Sequence, residues 1–187
     1  MRKVRVLVAL SAPLLLGAGV LLADHAMGGG MTDEQIVASA MKAAPAAVGK
    51  AATVIAVGAD GKVRTVRAGT NGWTCMGDNP ATPGPDPMCG DANAMEWVNA
   101  WINHQPPPTG KVGFMYMLEG GTDASNTDPY AAAPSAENHW IQTGPHVMVV
   151  GAKGLMQGYP RAADPDTSVP YVMWADTPYE HLMLPVK

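Results

Sequence analysis

The chain has 187 residues, a formal net charge of −4 and a hydrophobic fraction of 47%. The acidic balance argues against nucleic acid as a partner. The 21 glycines and 17 prolines are typical of a folded but loop-rich protein, and the sequence has no fixed-period repeat.

The N-terminal segment has the pattern of a secretory signal. Three basic residues fall within the first five, and residues 6–22 are almost entirely apolar. A membrane-spanning helix is the alternative, but Pro13, Gly17 and Gly19 disfavour it. We therefore predict a signal peptide of residues 1–26, cut between 23 and 28, and export to the periplasm or the extracellular space with no stable membrane anchor.

The remaining residues, 27–187, number about 160 and suit one globular domain. Cleavage after Ala26 leaves 9 basic and 15 acidic residues, a net charge of −6. The two cysteines, Cys75 and Cys89, both lie in this part, and export favours a disulfide between them. The alternative is a reduced pair that joins Met76 and Met88 in a sulfur-rich metal site.

Patterns along the first half predict two helices and a hairpin. The segment Thr32-Asp33-Glu34-Gln35 has capping-box form and begins a short amphipathic helix. Two β-branched runs, residues 51–57 and 62–67, flank an Asp-Gly turn signal and predict a β-hairpin. Asp91 can cap a second helix, which ends before three consecutive prolines at 106–108.

The second half has a strand-and-loop pattern. Short apolar segments at residues 111–118, 146–150, 170–174 and 181–186 alternate with Gly-, Pro- and Asp-rich connections. Residues 119–135 show no helical or strand period, so we expect an ordered surface loop there. The predicted fold class is α+β: a mainly antiparallel sheet with two or three short helices packed on it and one disulfide.

Two His-x-Met triplets are the strongest candidate site. His146 and Met148 share one face of a predicted strand, as do His181 and Met183, because side chains alternate along a strand. Two such strands side by side would bring two imidazoles and two thioethers together. Thioether sulfur is a soft ligand that favours Cu(I), so the predicted function is an exported Cu(I)-binding protein.

Three other interpretations stay open. The methionines can be flexible core residues, with each histidine held by a backbone carbonyl. His146 or His181 can act as acid or base in an enzyme of unknown reaction if a nearby carboxylate orients it, although no catalytic motif is present. The aromatic residues near the turns can line a small-ligand pocket without a metal: Trp73, Trp140, Tyr171, Trp174 and Tyr179. The partner is thus a metal ion or a small molecule, and the sequence identifies no protein partner.

Several blocks, in the same order, resemble a family of uncharacterised exported bacterial proteins: GTNGWTC (69–75), DPMC (86–89), YMLEGG (116–121), GPHVM (144–148), PYVMW (170–174) and HLM (181–183). This resemblance implies export and carries no activity with it. The His-x-Met pairs also loosely resemble the ligand sets of periplasmic copper chaperones. The chain lacks the spaced run of isolated methionines that those chaperones have between a first histidine and a final His-x-Met.

Overall fold

The computed structural model of the protein describes residues 30–58, 61–80, 82, 84–121 and 124–186. The predicted signal peptide and the Asp60 position of the hairpin turn lie outside these residues. The elements of the described chain are, in order, α1 (Asp33–Ala40), α2 (Ala46–Gly49), β1 (Thr53–Val57), β2 (Val63–Arg67), β3 (Thr74–Met76), β4 (Met88–Gly90), α3 (Ala92–Ile102), β5 (Gly113–Met117), β6 (Ala124–Ser125), β7 (Trp140–Ile141), β8 (His146–Val150), β9 (Tyr171–Met173) and β10 (His181–Pro185).

Both longer helices begin at the residues that the sequence predicts. Thr32 accepts a hydrogen bond from the Gln35 backbone while the Gln35 side chain accepts from Thr32, which completes the capping box of α1. Asp91 caps α3 by accepting from the Ala94 backbone at 2.8 Å. Its other carboxylate oxygen accepts from the backbone of Phe114 in β5, so one side chain fixes both the start of the helix and its position beside the sheet.

Eight strands form one sheet in the order β2-β1-β3-β4-β5-β8-β10-β9. Among the described strand pairs of this sheet, β1 and β3 are parallel and the others are antiparallel. The predicted hairpin is confirmed as β1 and β2, with an irregularity in register between Val54 and Ile55. The predicted fold class is also confirmed: a mixed α and β fold with a mostly antiparallel sheet and few short helices.

The helices cover opposite faces of the sheet at different ends. Cys89 and Tyr116 form a cross-strand pair on one face, where the buried cluster contains residues of α1 and β1 and both cysteines. Gly90 and Met115 pair on the other face, where α3 packs with Trp97 and Val98. A Cβ at Gly113 would lie 2.3 Å from the backbone nitrogen of Ala94, so the absence of a side chain there lets α3 approach β5 closely.

The cysteines form a disulfide between directly opposite residues of β3 and β4. The predicted disulfide is therefore confirmed, and the alternative of a reduced metal-binding pair with Met76 and Met88 is wrong. Both cysteines are fully buried in the cluster under α1 and α2.

Three details depart from the sequence prediction. The four-residue helix α2 begins after Pro45, where the sequence suggested only a break. Strands β3 and β4 are three residues each, too short to show an alternating pattern. The expected surface loop at 119–135 instead contains β6, which pairs with β7, and its Ser125 and Asn126 are buried. Neither this loop nor these strands have a periodicity that sequence reasoning could use.

Candidate functional site

The two His-x-Met triplets lie on neighbouring antiparallel strands, β8 and β10, as predicted. Met148 is directly opposite Met183, and His146 is opposite Pro185. Because side chains alternate faces, both histidines and both methionines project from the same side of the sheet. The two methionines are adjacent, with Cβ atoms about 5 Å apart for such a pair. The histidines flank them at the two ends, four residues apart in register and thus about 13 Å apart along the strand direction.

Further sulfur atoms line the same face. On β5, Met115 is the register partner of Met148, and Met117 is the partner of His146. On β9, Met173 is the partner of His181. These methionines are buried, whereas Phe114 between the two of β5 is 47% exposed on the opposite face. Thioether and imidazole side chains therefore occupy neighbouring positions on one face of the four strands β5, β8, β10 and β9.

His181 is buried against two aromatic side chains. Its ring lies 4.9 Å from that of Trp174 and 5.4 Å from that of Trp97, edge-on to both. Nδ1 lies 3.0 Å from the carbonyl oxygen of Tyr179, and because a carbonyl can only accept, Nδ1 carries the proton. The other nitrogen, Nε2, therefore has a free lone pair, and it is buried with no hydrogen-bond partner. Burial lowers the pKa of His181 to about 4, with a smaller contribution from the charge of His146.

His146 has the same backbone anchor but a different surrounding. Its Nδ1 lies 2.7 Å from the carbonyl oxygen of Gly144, which again assigns the lone pair to Nε2. Burial lowers the pKa of His146, so both imidazoles are neutral at neutral pH. His146 lines a small chamber of about 10 Å³ together with Tyr171 and Met183.

The chamber lies beside an open cleft of about 430 Å³. Thr143, Gly144 and Thr167 line both spaces, so they connect the chamber to the cleft. The cleft wall is made largely of glycines and neutral polar side chains: Gly84, Pro85, Glu119, Gly120, Gly121, Gln142, Thr143, Gly144, Pro145 and Thr167. Gly121 has to lack a side chain, since a Cβ there would lie 2.3 Å from the Thr143 hydroxyl and 3.1 Å from Cε1 of His146.

The carboxylates that could serve an acid-base site are engaged elsewhere in the described residues. Glu180 accepts from Arg161 at 2.6 Å, and Asp176 accepts from the same guanidinium at 2.9 Å. Neither histidine of the triplets hydrogen-bonds to a described carboxylate; both use backbone carbonyls. The His–carboxylate pair that the described chain does contain is His139 with Asp164, 3.0 Å apart and open to solvent. Asp123, an acidic residue that could also orient a histidine, lies outside the described residues.

Comparison with protein-family models, with curated proteins and with solved structures gives no match. In the described part of the chain, no group of three or more His, Cys, Asp or Glu side chains could hold a metal ion. Thioethers are a separate class of ligand, which favours soft ions such as Cu(I). None of the described helices has both the length and the apolar character that crossing a membrane requires.

Sequence reasoning found the triplets but not the cleft beside them. Gln142, Thr143 and Thr167 come from two connections far apart in the chain, and no spacing rule joins them. Tyr171 was a candidate pocket residue, and the structure places it in the chamber with His146. The glycines of the blocks at 116–121 and 144–148 were the available signal, since closely approaching backbones require residues without side chains.

Proposed function

We propose that the protein is an exported Cu(I)-binding protein whose ligands come from His146, Met148, His181 and Met183. The site is the shared face of β8 and β10, where the two methionines are opposite each other and a histidine flanks them at each end. Two thioethers with imidazole nitrogens form a soft, uncharged set that suits Cu(I) better than Zn(II).

The observation that carries the proposal is the unpartnered Nε2 of His181. A buried nitrogen with a free lone pair is costly unless something binds it, because it has lost its hydrogen bonds to water. The other nitrogen of the ring, Nδ1, donates to the backbone carbonyl of Tyr179, and such a bond is a usual way for proteins to orient a metal-binding histidine. The lowered pKa keeps this nitrogen unprotonated, and therefore able to bind a metal, throughout the neutral range.

The register sets a requirement on the site. A single ion held by all four side chains needs both imidazoles to lean inward over the methionine pair, since their strand positions are four residues apart. The two rings are close enough for the charge of His146 to oppose protonation of His181. If only one ring leans inward, that histidine and the two methionines provide a three-coordinate set.

The test is a competition titration of purified metal-free protein against a chromogenic Cu(I) chelator. Wild type is expected to take up one equivalent. The double variant Met148→Leu/Met183→Leu should bind at least about tenfold more weakly, since it loses both sulfurs. Leucine nearly preserves the hydrophobic volume, so the cost in folding stability should stay below about 1.5 kcal/mol per site.

Met156→Leu is the matched control. Met156 is also buried, but it packs with Val172 and Leu182, which alternate with the site residues and lie on the opposite face of the sheet. Single variants His146→Gln and His181→Gln show which ring takes part, with solvent-accessible His139→Gln for comparison. The proposal fails if wild type does not compete with the chelator, or if the double variant competes as well as Met156→Leu does.

Export is part of the same proposal and has its own test. The basic and apolar pattern of residues 1–22 and the disulfide both support it. Intact-mass analysis of protein recovered from the periplasm or the medium should show loss of the first 23 to 28 residues. Retention of the full-length mass in that fraction would contradict cleavage.

A further inference from the structure

We propose that the groove between α1 and β2 is a dimer interface, which takes the same groove of a second copy of this chain. The proposal is independent of metal binding, because α1 packs on the face of the sheet that holds the disulfide, whereas the His-x-Met triplets project from the other face. It rests on the apolar centre of the groove and on the opposite charges at its two ends.

The groove has an apolar centre that solvent reaches. It has a volume of about 700 Å³ and follows the outer side of α1. Its apolar lining is Val37, Ala38 and Met41 together with Val66 of β2. Ala38 is exposed and the other three are only partly buried. Because β2 is at the edge of the described sheet, this apolar surface lies where a second protein surface can cover it.

The two ends of the groove carry opposite charges. Asp33 and Glu34 lie where α1 begins, and Lys42 and Arg67 lie at the other end. Asp33 is held by an ion pair with β2, and Arg67 donates to two backbone carbonyls, which leaves Glu34 and Lys42 as the charges for a partner. Lys42 is 65% exposed, and its ion pair with Glu119 is long, at 4.0 Å, so its ammonium group can turn toward a partner.

This arrangement is self-complementary about a two-fold axis. Glu34, Ala38 and Lys42 are spaced four residues apart, so they follow one side of the helix over about 12 Å. When two copies of α1 pack antiparallel with Ala38 at the axis, Glu34 of each copy lies beside Lys42 of the partner subunit. A parallel pairing would instead place like charges together. The charges thus select a second copy of the chain in one orientation.

The interface is small, since α1 has eight residues. Contact between the two apolar centres supplies the attraction, and the small side chain of Ala38 lets the helices approach closely. Exposed ion pairs add little affinity, so the two Glu34–Lys42 pairs mainly fix the orientation. Interfaces at the small end of the range are weak, and we expect a dissociation constant of roughly 10–100 µM.

Sedimentation velocity of the metal-free protein between about 1 and 500 µM measures this association. Wild type should change from monomer to dimer across that range. Glu34→Lys and Lys42→Glu each turn both ion pairs into repulsions, so each should weaken the dimer at least about tenfold.

Two combinations of these variants restore the attraction. In an equal mixture of Glu34→Lys and Lys42→Glu, a copy with two lysines at these positions meets a copy with two glutamates, and a heterodimer should form. The double variant Glu34→Lys/Lys42→Glu exchanges the two charges within each copy. Its antiparallel dimer again has two ion pairs and should match wild type within about threefold.

The controls separate the interface from net charge and from folding. Lys153→Glu and Glu137→Lys make the same changes of charge at exposed positions outside the groove, and both should dimerise like wild type. Far-UV circular dichroism checks that each variant keeps its helices. Should a charge reversal unfold α1, Glu34→Gln and Lys42→Gln replace it, and each should weaken the dimer by roughly twofold to fivefold.

Three results would overturn the proposal: a monomer at every concentration, reversal variants that dimerise as well as their controls, or a mixture of the two reversals that stays monomeric. A monomer is also the result expected if a different protein or another segment of the same chain occupies the groove. Uptake of Cu(I) should be the same in all of these variants, so the outcome for the interface is separate from the outcome for the metal site.

Discussion

At the scale of single residues, His181 links the candidate site to the pH dependence of folding. Its pKa is about 4 in the folded protein and near 6.5 in an unfolded chain. Between these values the unfolded chain binds the proton more readily, so the free energy of unfolding should fall as the pH decreases from about 6.5 to 4. For a fully buried ring, the loss amounts to about 3 kcal/mol. Above pH 6.5, this contribution is fully present.

Urea unfolding of metal-free protein at a series of pH values measures this effect. His181→Phe keeps an aromatic ring between Trp97 and Trp174 but cannot titrate, so its stability should vary less with pH. A smaller slope should remain, because the pKa of His146 is also lowered by burial. Met156→Leu, a buried substitution on the opposite face that removes no titratable group, should keep the wild-type slope. If His181→Phe and wild type had the same slope, His181 would not be the titrating group.

At the scale of elements, Asp91 connects α3 to the sheet. Its two carboxylate oxygens accept from Ala94 in the helix and from Phe114 in β5. Asp91→Ala should therefore reduce the free energy of unfolding by about 1–2 kcal/mol, at the upper end of what a helix cap contributes. Thr32→Ala, which removes an exposed cap of α1, should cost less. Thermal and urea denaturation compare the two variants, and an equal loss in both would mean that the bond to β5 contributes little.

The contact between α3 and β5 depends equally on Gly113. A methyl group at this position would meet the backbone of Asn93 and Ala94 at 2.3 to 2.8 Å, and backbone cannot move aside as a flexible side chain can. We expect Gly113→Ala to lower stability by about 1–3 kcal/mol or more, the cost of overpacking. Gly144→Ala is the comparison for stability, since its Cβ would have no atom within 4 Å. Similar melting temperatures for the two variants would contradict the close approach.

Sequence rules that depend on a few neighbouring residues correctly predicted the helix starts and the side-chain alternation along strands. The capping residues Thr32 and Asp91 and the alternation in the two His-x-Met triplets depend on a few adjacent positions, and each is present in the structure. The enclosure of His181 by Trp97 and Trp174 depends on α3 packing across the sheet, at a sequence distance of about 80 residues. The cleft likewise needs four separate segments of the chain to meet. Such contacts follow from the sheet order, which no local pattern encodes.

At the scale of the whole molecule, the disulfide stabilises the place where two parts of the sheet meet. The strands β2, β1 and β3, covered by α1, join the remainder through the short ladder between β3 and β4. This ladder has three residue pairs, and the disulfide is its central pair. On one face the packing also crosses this junction, since Tyr116 of β5 contacts Trp73 and packs against the cluster that holds both cysteines.

Removing the disulfide should therefore destabilise the protein substantially. Cys75 and Cys89 are 14 residues apart, and closing a loop of that size stabilises a fold by about 3 kcal/mol through the restricted unfolded chain. In urea, Cys75→Ala/Cys89→Ala should have a lower midpoint, and reduced wild type should move toward it. The pH dependence caused by His181 should persist in the double variant, since that ring lies in the other cluster. An unchanged midpoint would show that the three-residue ladder and the packing around it hold the junction without the covalent bond.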